Sequence, residues 1–203
     1  MMIRLAAACF LSLAGCEEVL TKTPAYEPQK AGSIDQAMCQ LGFTAVPMRE
    51  LLTGHHLVEA RLNGKQASFV VDTGANRTVL HAPFAAEFGL SGKPIGMGGA
   101  VGVGGSVKAS QAAVEAFAIG GVTIRRNRIM MTDLGQVTNL LSPISGSKVY
   151  GIIGQDVLKE HRAVIDVAKP LLYLVREDKD PAPVPLERCS AVSEPSKNKA
   201  KAS

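Results

Sequence analysis

The chain has 203 residues and a formal net charge of +4, enough length for one well-buried domain with tails. Aromatic residues make up only 4%, tryptophan is absent and glycine numbers 20, so a core must be assembled mainly from Val, Ile, Leu and Ala. Three of the positive charges, Lys197, Lys199 and Lys201, fall in a polar tail, and no basic stripe with interleaved aromatics occurs, which argues against a nucleic-acid partner.

Residues 1–15 read as a targeting segment: Arg4 supplies a short positive region, and Leu5 to Leu13 is apolar but too short to span a bilayer. The segment closes on Leu13-Ala14-Gly15-Cys16, which resembles a bacterial lipoprotein signal and implies that Cys16 becomes the lipidated first residue. An ordinary secretory signal with an incidental cysteine is the alternative. The resemblance implies a membrane partner through a lipid anchor, hence the bacterial cell envelope. Glu17 after the cysteine leans toward the outer membrane, with the domain facing the periplasm.

Residues 16–37, with Lys22, Pro24, Pro28 and Lys30, read as a flexible linker. The domain is expected over 38–180, followed at 181–203 by a strap holding Pro181, Pro183 and Pro185 and a disordered Lys/Ser tail. Cys39 and Cys189 flank the domain. They form either a disulfide closing a loop of about 150 residues or two free buried thiols. No further Cys or His pair has the spacing of a zinc site.

Within the domain short strands dominate. Val58 to Leu62 alternates apolar and polar residues, Asn63-Gly64 supplies a two-residue hairpin turn, and Gln66 to Val71 returns to Asp72. Thr78-Val79-Leu80 is a brief strand and Pro83 to Phe88 a one- to two-turn helix with proline at its start. Further hairpins turn at Gly120-Gly121 and near Lys169-Pro170, and Gln155 to Glu160 reads as a short helix. The regular turns and period-2 runs predict a mainly β domain, closed or sandwiched.

Three separated features carry the chemistry. The first is Asp72-Thr73-Gly74-Ala75 after the apolar run Phe69-Val70-Val71. The second is the glycine-rich stretch from Gly96-Met97-Gly98-Gly99 to Gly105. The third is Ile152-Ile153-Gly154, which opens the Gln155–Glu160 helix. A carboxylate at the mouth of a buried strand either works or is satisfied by local amides as a turn acid. Glycine after it permits the close backbone approach that a tight turn needs.

Together these features resemble the retropepsin-like (single-lobe) aspartic proteases, from roughly Leu57 to Val175. The resemblance implies a closed β-barrel lobe with one or two short helices. It also implies Asp72 as the catalytic acid, supported by Thr73, Gly74 and Ala75, whose backbone amides at 74 and 75 would hold the carboxylate. Gly96, Met97, Gly98 and Gly99 would belong to a flap closing over bound peptide, a surface loop being the alternative. Ile152, Ile153 and Gly154 would pass behind the catalytic loop.

Hydrolysis by this chemistry needs two carboxylates sharing a proton, one activating water and the other polarising the scissile carbonyl. It needs no metal or other cofactor. One Asp-Thr-Gly triplet is present, since Asp133-Leu134-Gly135 lacks the hydroxyl, so an active enzyme is expected to be a C2 homodimer with one Asp72 from each copy. The expected function is an endopeptidase acting on extended peptide or protein segments. A non-catalytic lipoprotein using the same β scaffold to bind or present peptides is the alternative. Rival motifs are weaker: Ser145-Gly146-Ser147-Lys148 precedes a strand rather than opening a long helix, His55-His56 lacks a third ligand, and the glycine run fits no dinucleotide fingerprint.

Overall fold

The computed structural model describes residues 25–95, 100–102, 105–175, 184–185, 187 and 189. In chain order these form helix α1 (Ile34–Gln40), strands β1 (Phe43–Glu50), β2 (His56–Leu62), β3 (Lys65–Val71) and β4 (Val79–His81), then a 3-10 helix (Ala82–Phe88). Strands β5 (Lys93–Pro94), β6 (Ala100–Gly102), β7 (Gly105–Val107), β8 (Ala109–Ala113), β9 (Phe117–Ile119), β10 (Val122–Thr123) and β11 (Arg128–Thr132) follow. The chain then forms α2 (Gly135–Ser145), β12 (Val149–Ile153), α3 (Gln155–Glu160), β13 (Val164–Asp166) and β14 (Leu171–Val175).

Local chemistry explains the hairpins. Asn63 and Gly64 both take positive φ (48° and 80°), as the tight turn between β2 and β3 requires, and Gly120 and Gly121 do the same between β9 and β10. The 3-10 helix begins with proline in its first turn and stops at Gly89, which is left-handed.

One 12-stranded sheet runs β13-β14-β1-β2-β3-β12-β4-β11-β8-β5, with β9 and β10 attached to β2; β6 and β7 form a separate hairpin. The sheet is not closed, which corrects the expected barrel. Its ends, β13 and β5, do not pair with each other. Strand β5 is two residues long and ends in Pro94, which has no N–H to extend a ladder, so it serves as an edge. The helical content also exceeds the expected one or two short helices, because α1 and the 11-residue α2 are added.

Alternation on the strands separates two cores. Val58, Ala60, Leu62 and Phe69 join the larger one with Ile119, Ile153, Leu172 and Leu174. Leu57 and Val70 face the other way and are covered by Leu141 and Val137 of α2, together with Leu51 and Val149.

The folded region begins before residue 38, inside the stretch assigned to the linker. Ser33 caps α1 by accepting from the Gln36 amide, Tyr26 packs on Ala45, Leu171 and Tyr173, and the Asp35 side chain is buried. Asp35 accepts from the Glu27 amide (2.6 Å) and the Tyr173 hydroxyl (2.5 Å) and pairs with Lys169. Desolvation opposes its charge, but the bonds from Lys169, Tyr173 and Glu27 prevail and hold this carboxyl below its ordinary value. Next to it a disulfide joins Cys39 to Cys189, and the Val184 amide donates to Gln40, tying the chain after β14 back to α1.

Candidate active site

Strand β3 is buried from Ala67 to Val70 and delivers Asp72 to the surface, where the residue is half-buried. Its two neighbours are β2 and β12, and β12 runs parallel to it with Ile153 opposite Val71. After the loop 72–78 the chain returns as β4 on the far side of β12, antiparallel to it. One strand thus lies between the strand that arrives at Asp72 and the strand that leaves it.

That crossing fixes the loop at every turn. The Asp72 amide donates to the Ile153 carbonyl at 3.0 Å, and the Gln155 amide donates to the Ala75 carbonyl at 2.8 Å. The Gln155 side chain donates to the Thr73 carbonyl at 2.6 Å. At the exit, the Gly154 amide donates to Thr78 Oγ1 (3.0 Å), whose hydroxyl donates in turn to Asp156 Oδ1 (2.7 Å). The Thr78 amide also donates to that oxygen, at 2.8 Å. Ile153, Gly154 and Gln155 thus contact the loop from its entry to its exit.

Glycine is required twice on the crossing strand. A Cβ on Gly154 would lie 2.4 Å from the carbonyl carbon and oxygen of Arg77 and 2.8 Å from the Ala75 oxygen. On Gly151 it would meet the Val79 oxygen at 2.1 Å. All of these are backbone atoms except the ring of Phe69 near Gly151, so no rotamer change relieves the contact.

At the carboxylate itself, the Gly74 amide donates to Asp72 Oδ1 at 2.8 Å. The Ala75 amide does not share this task. It donates to the Asp72 main-chain carbonyl at 3.3 Å, closing the turn. Asp72 Oδ2 and the hydroxyl of the exposed Thr73 make no hydrogen bond among the described residues. Asp72 opens into a cleft whose walls include Gly74, Arg77, Val79, Gln111, Arg128, Met130, Asp133 and Ile152.

Sequence reasoning missed the residues that anchor this loop from below. Asp156 is the chief of them. In the structure its nearly buried carboxylate binds Thr78 and the Val157 amide through Oδ1 and lies 3.3 Å from Arg126 through Oδ2. Arg126 also pairs with Glu160 at 2.9 Å. The acid after Gly154-Gln155 was visible, but its partner lies 78 positions upstream, beyond any local pattern. The turn of Asp72 repeats at Asp133, where the Gly135 amide donates to Oδ1 at 2.7 Å. His81 Nδ1 lies 3.6 Å from that carboxylate but accepts the Leu134 amide, so it has no proton there to give. No hydrogen bond links Asp133 to Asp72 among the described residues.

Gly96, Met97, Gly98 and Gly99 lie outside the described residues, as do Cys16 and the segment before it. No cluster of His, Cys, Asp or Glu able to hold a metal ion occurs among the described residues.

Residues 58–157 match the family model described as aspartyl protease. No curated protein matches the chain. Among solved structures the chain is similar to EIAV protease complexed with the inhibitor HBY-793, at 22% identity, covering 57% of this chain and 95% of that one, with a TM-score of 0.43. It is also similar to a retropepsin-like aspartic protease from Rickettsia conorii, at 21% identity over 66% of this chain and 88% of that one, with a TM-score of 0.44. The stretch that holds Asp72, its turn and the strand crossing behind it is, by sequence, similar to the aspartyl proteases.

Proposed function

We propose that the protein is an aspartic endopeptidase that works as a C2 homodimer, each copy contributing one Asp72. The observation that carries this reading is the state of the Asp72 carboxylate. One oxygen is fixed by the Gly74 amide, while the other opens to a cleft with no hydrogen bond from its own chain among the described residues. The exposed Thr73 hydroxyl beside it is likewise available to a twin loop. The cleft, about 1530 Å³, exceeds the roughly 300–1,000 Å³ usual for small-molecule sites and suits an extended segment.

In the proposed dimer the two carboxylates lie a hydrogen bond apart and share one proton. The ionised one takes a proton from a water as its oxygen attacks the scissile carbonyl. The protonated one donates to that carbonyl oxygen as negative charge develops. Collapse of the resulting diol breaks the C–N bond as the amine gains a proton. The glycine-rich stretch around Gly96–Gly99 is assigned the covering flap. The same proposal places the domain on the bacterial envelope, held through a lipid on Cys16 and facing the periplasm, where the extra chains per area favour pairing.

The test combines sedimentation with peptide-library cleavage. A dimer that cleaves, and loses at least about 10³-fold of that activity in Asp72→Asn, supports the reading. A folded dimer that cleaves nothing overturns it and leaves a peptide-binding scaffold.

A further inference from the structure

Strands β4 and β11 run parallel, with Val79 opposite Met130 and Leu80 opposite Met131. Two residues upstream of that first pair stand Arg77, in the loop that leads into β4, and Arg128, the first residue of β11. All four line the cleft that Asp72 opens into. Neither arginine is neutralised: Arg77 is exposed and has no hydrogen bond or ion pair among the described residues, and Arg128 donates only to the uncharged Gln111 side chain, at 3.3 Å. Arg126, by contrast, is committed to Asp156 and Glu160. Arg125 and Lys159 line the adjoining pocket with Arg126, Arg128, Asp156 and Glu160.

Like charges lining one cleft repel. An anion placed between Arg77 and Arg128 relieves that repulsion, and the guanidinium fork matches the two oxygens of a carboxylate. We infer that the Arg77–Arg128 pair is a specificity wall that selects peptides bearing an Asp or Glu side chain close to the bond positioned at Asp72. The inference rests on the endopeptidase reading for its choice of a peptide as ligand, because a molecule reaching both the wall and Asp72 must extend along the cleft floor. The other end of β11 carries the exposed Asp133, about 17 Å away for five strand residues, so the preference for acid is confined to the arginine end.

The full-length chain in detergent micelles is titrated against fluorescein-labelled peptides that differ only by Glu or Gln at one position, scanned along the sequence. At one or two positions the Glu peptide is expected to bind about three- to tenfold tighter at low salt, an advantage that shrinks toward 1 M salt. Arg77→Gln with Arg128→Gln brings the Glu:Gln ratio close to one, and Arg77→Glu with Arg128→Glu turns the preference toward a Lys peptide. Equal binding of Glu and Gln peptides at every position overturns the inference, as does a ratio that survives the double Gln change. Capture by anionic vesicles that depends on the two arginines, with no Glu preference, assigns the wall to a membrane surface and also overturns it. Cleavage is followed on the same peptides: a Glu preference in binding with no cleavage keeps the inference and sinks the endopeptidase reading instead.

Discussion

Asp156 offers the sharpest test of how the loop that carries Asp72 is held. Thr78 is 4% exposed, and its amide has Asp156 Oδ1 as its hydrogen-bond acceptor. Asp156→Ala strands that buried donor, at about 1–3 kcal/mol, and removes the acceptor of the Thr78 hydroxyl, at about 1 kcal/mol more. The rest is spared: the Val157 amide keeps the Gly154 carbonyl at 3.2 Å and Arg126 keeps Glu160. The expected loss is about 3 kcal/mol for Ala and about 1 kcal/mol for Asn, which preserves the accepting oxygen but gives up the charge facing Arg126. Urea unfolding with unchanged slope measures both, and a double-mutant cycle with Thr78→Val should return a coupling of about 1–2 kcal/mol. Because Thr78 ends the loop that begins at Asp72, cleavage by Asp156→Ala should also fall by about 10- to 100-fold while the protein remains folded. An Ala variant no less stable than the Asn variant, or a coupling below about 0.3 kcal/mol, would refute the anchoring argument.

Gly154→Ala drives a Cβ into the Arg77 and Ala75 backbone; it should cost about 1–3 kcal/mol in urea unfolding and at least about 100-fold in peptide cleavage, and near-normal cleavage would show that the loop tolerates displacement. Replacing Cys39 and Cys189 by Ala opens a link spanning 150 positions, and the chain-entropy account gives a loss of up to about 5 kcal/mol; the urea midpoint of the variant should match that of reduced wild type. Asp35, its folded carboxyl held below 3.8, stabilises the protein above that ordinary value and ceases to do so as pH falls through the lower folded one. Asp35→Asn should therefore be most damaging near neutral pH, with the gap to wild type narrowing in acid; a gap independent of pH from 7 to 2 would mean the charge is not what matters.

The parts of the fold that were legible are those whose signal is local. Asn63-Gly64 and Gly120-Gly121 announce their turns because few other residues accept positive φ, and the Gln155–Glu160 helix follows directly from the glycine before it. Helix α1 carried a readable sign in Ser33 and Gln36, whose side chains satisfy the Gln36 and Gly32 amides, but it lay in a stretch assigned to the linker by its prolines and lysines. Strand β1 was hidden by Pro47. The proline is tolerated because it sits where the strand leaves β14 and takes up β2, so its missing N–H interrupts neither ladder.

Helix α2 has no side-chain cap, contains Pro143 and exposes Leu140 and Ile144. It is held by Leu141 against Leu57, Val70 and Val149, a tertiary contact that no local window contains. At the site, Asp72 and its turn could be read directly. The anchoring through Thr78, Asp156 and Arg126 could not, because it depends on which strand is placed between which.

The placement of β12 between the two strands that flank Asp72 also sets an order of events. The hydrogen bonds that tie residues 72–78 to the segment crossing behind them reach 76 to 82 positions along the chain. A nascent polypeptide that has emerged only as far as Ser147 owns the acid and its local turn but not the strand that fixes the loop in place. If the protein is the endopeptidase proposed, a chain cut short before Gly154 should therefore be inactive, because the acid is present without the strand that holds its loop.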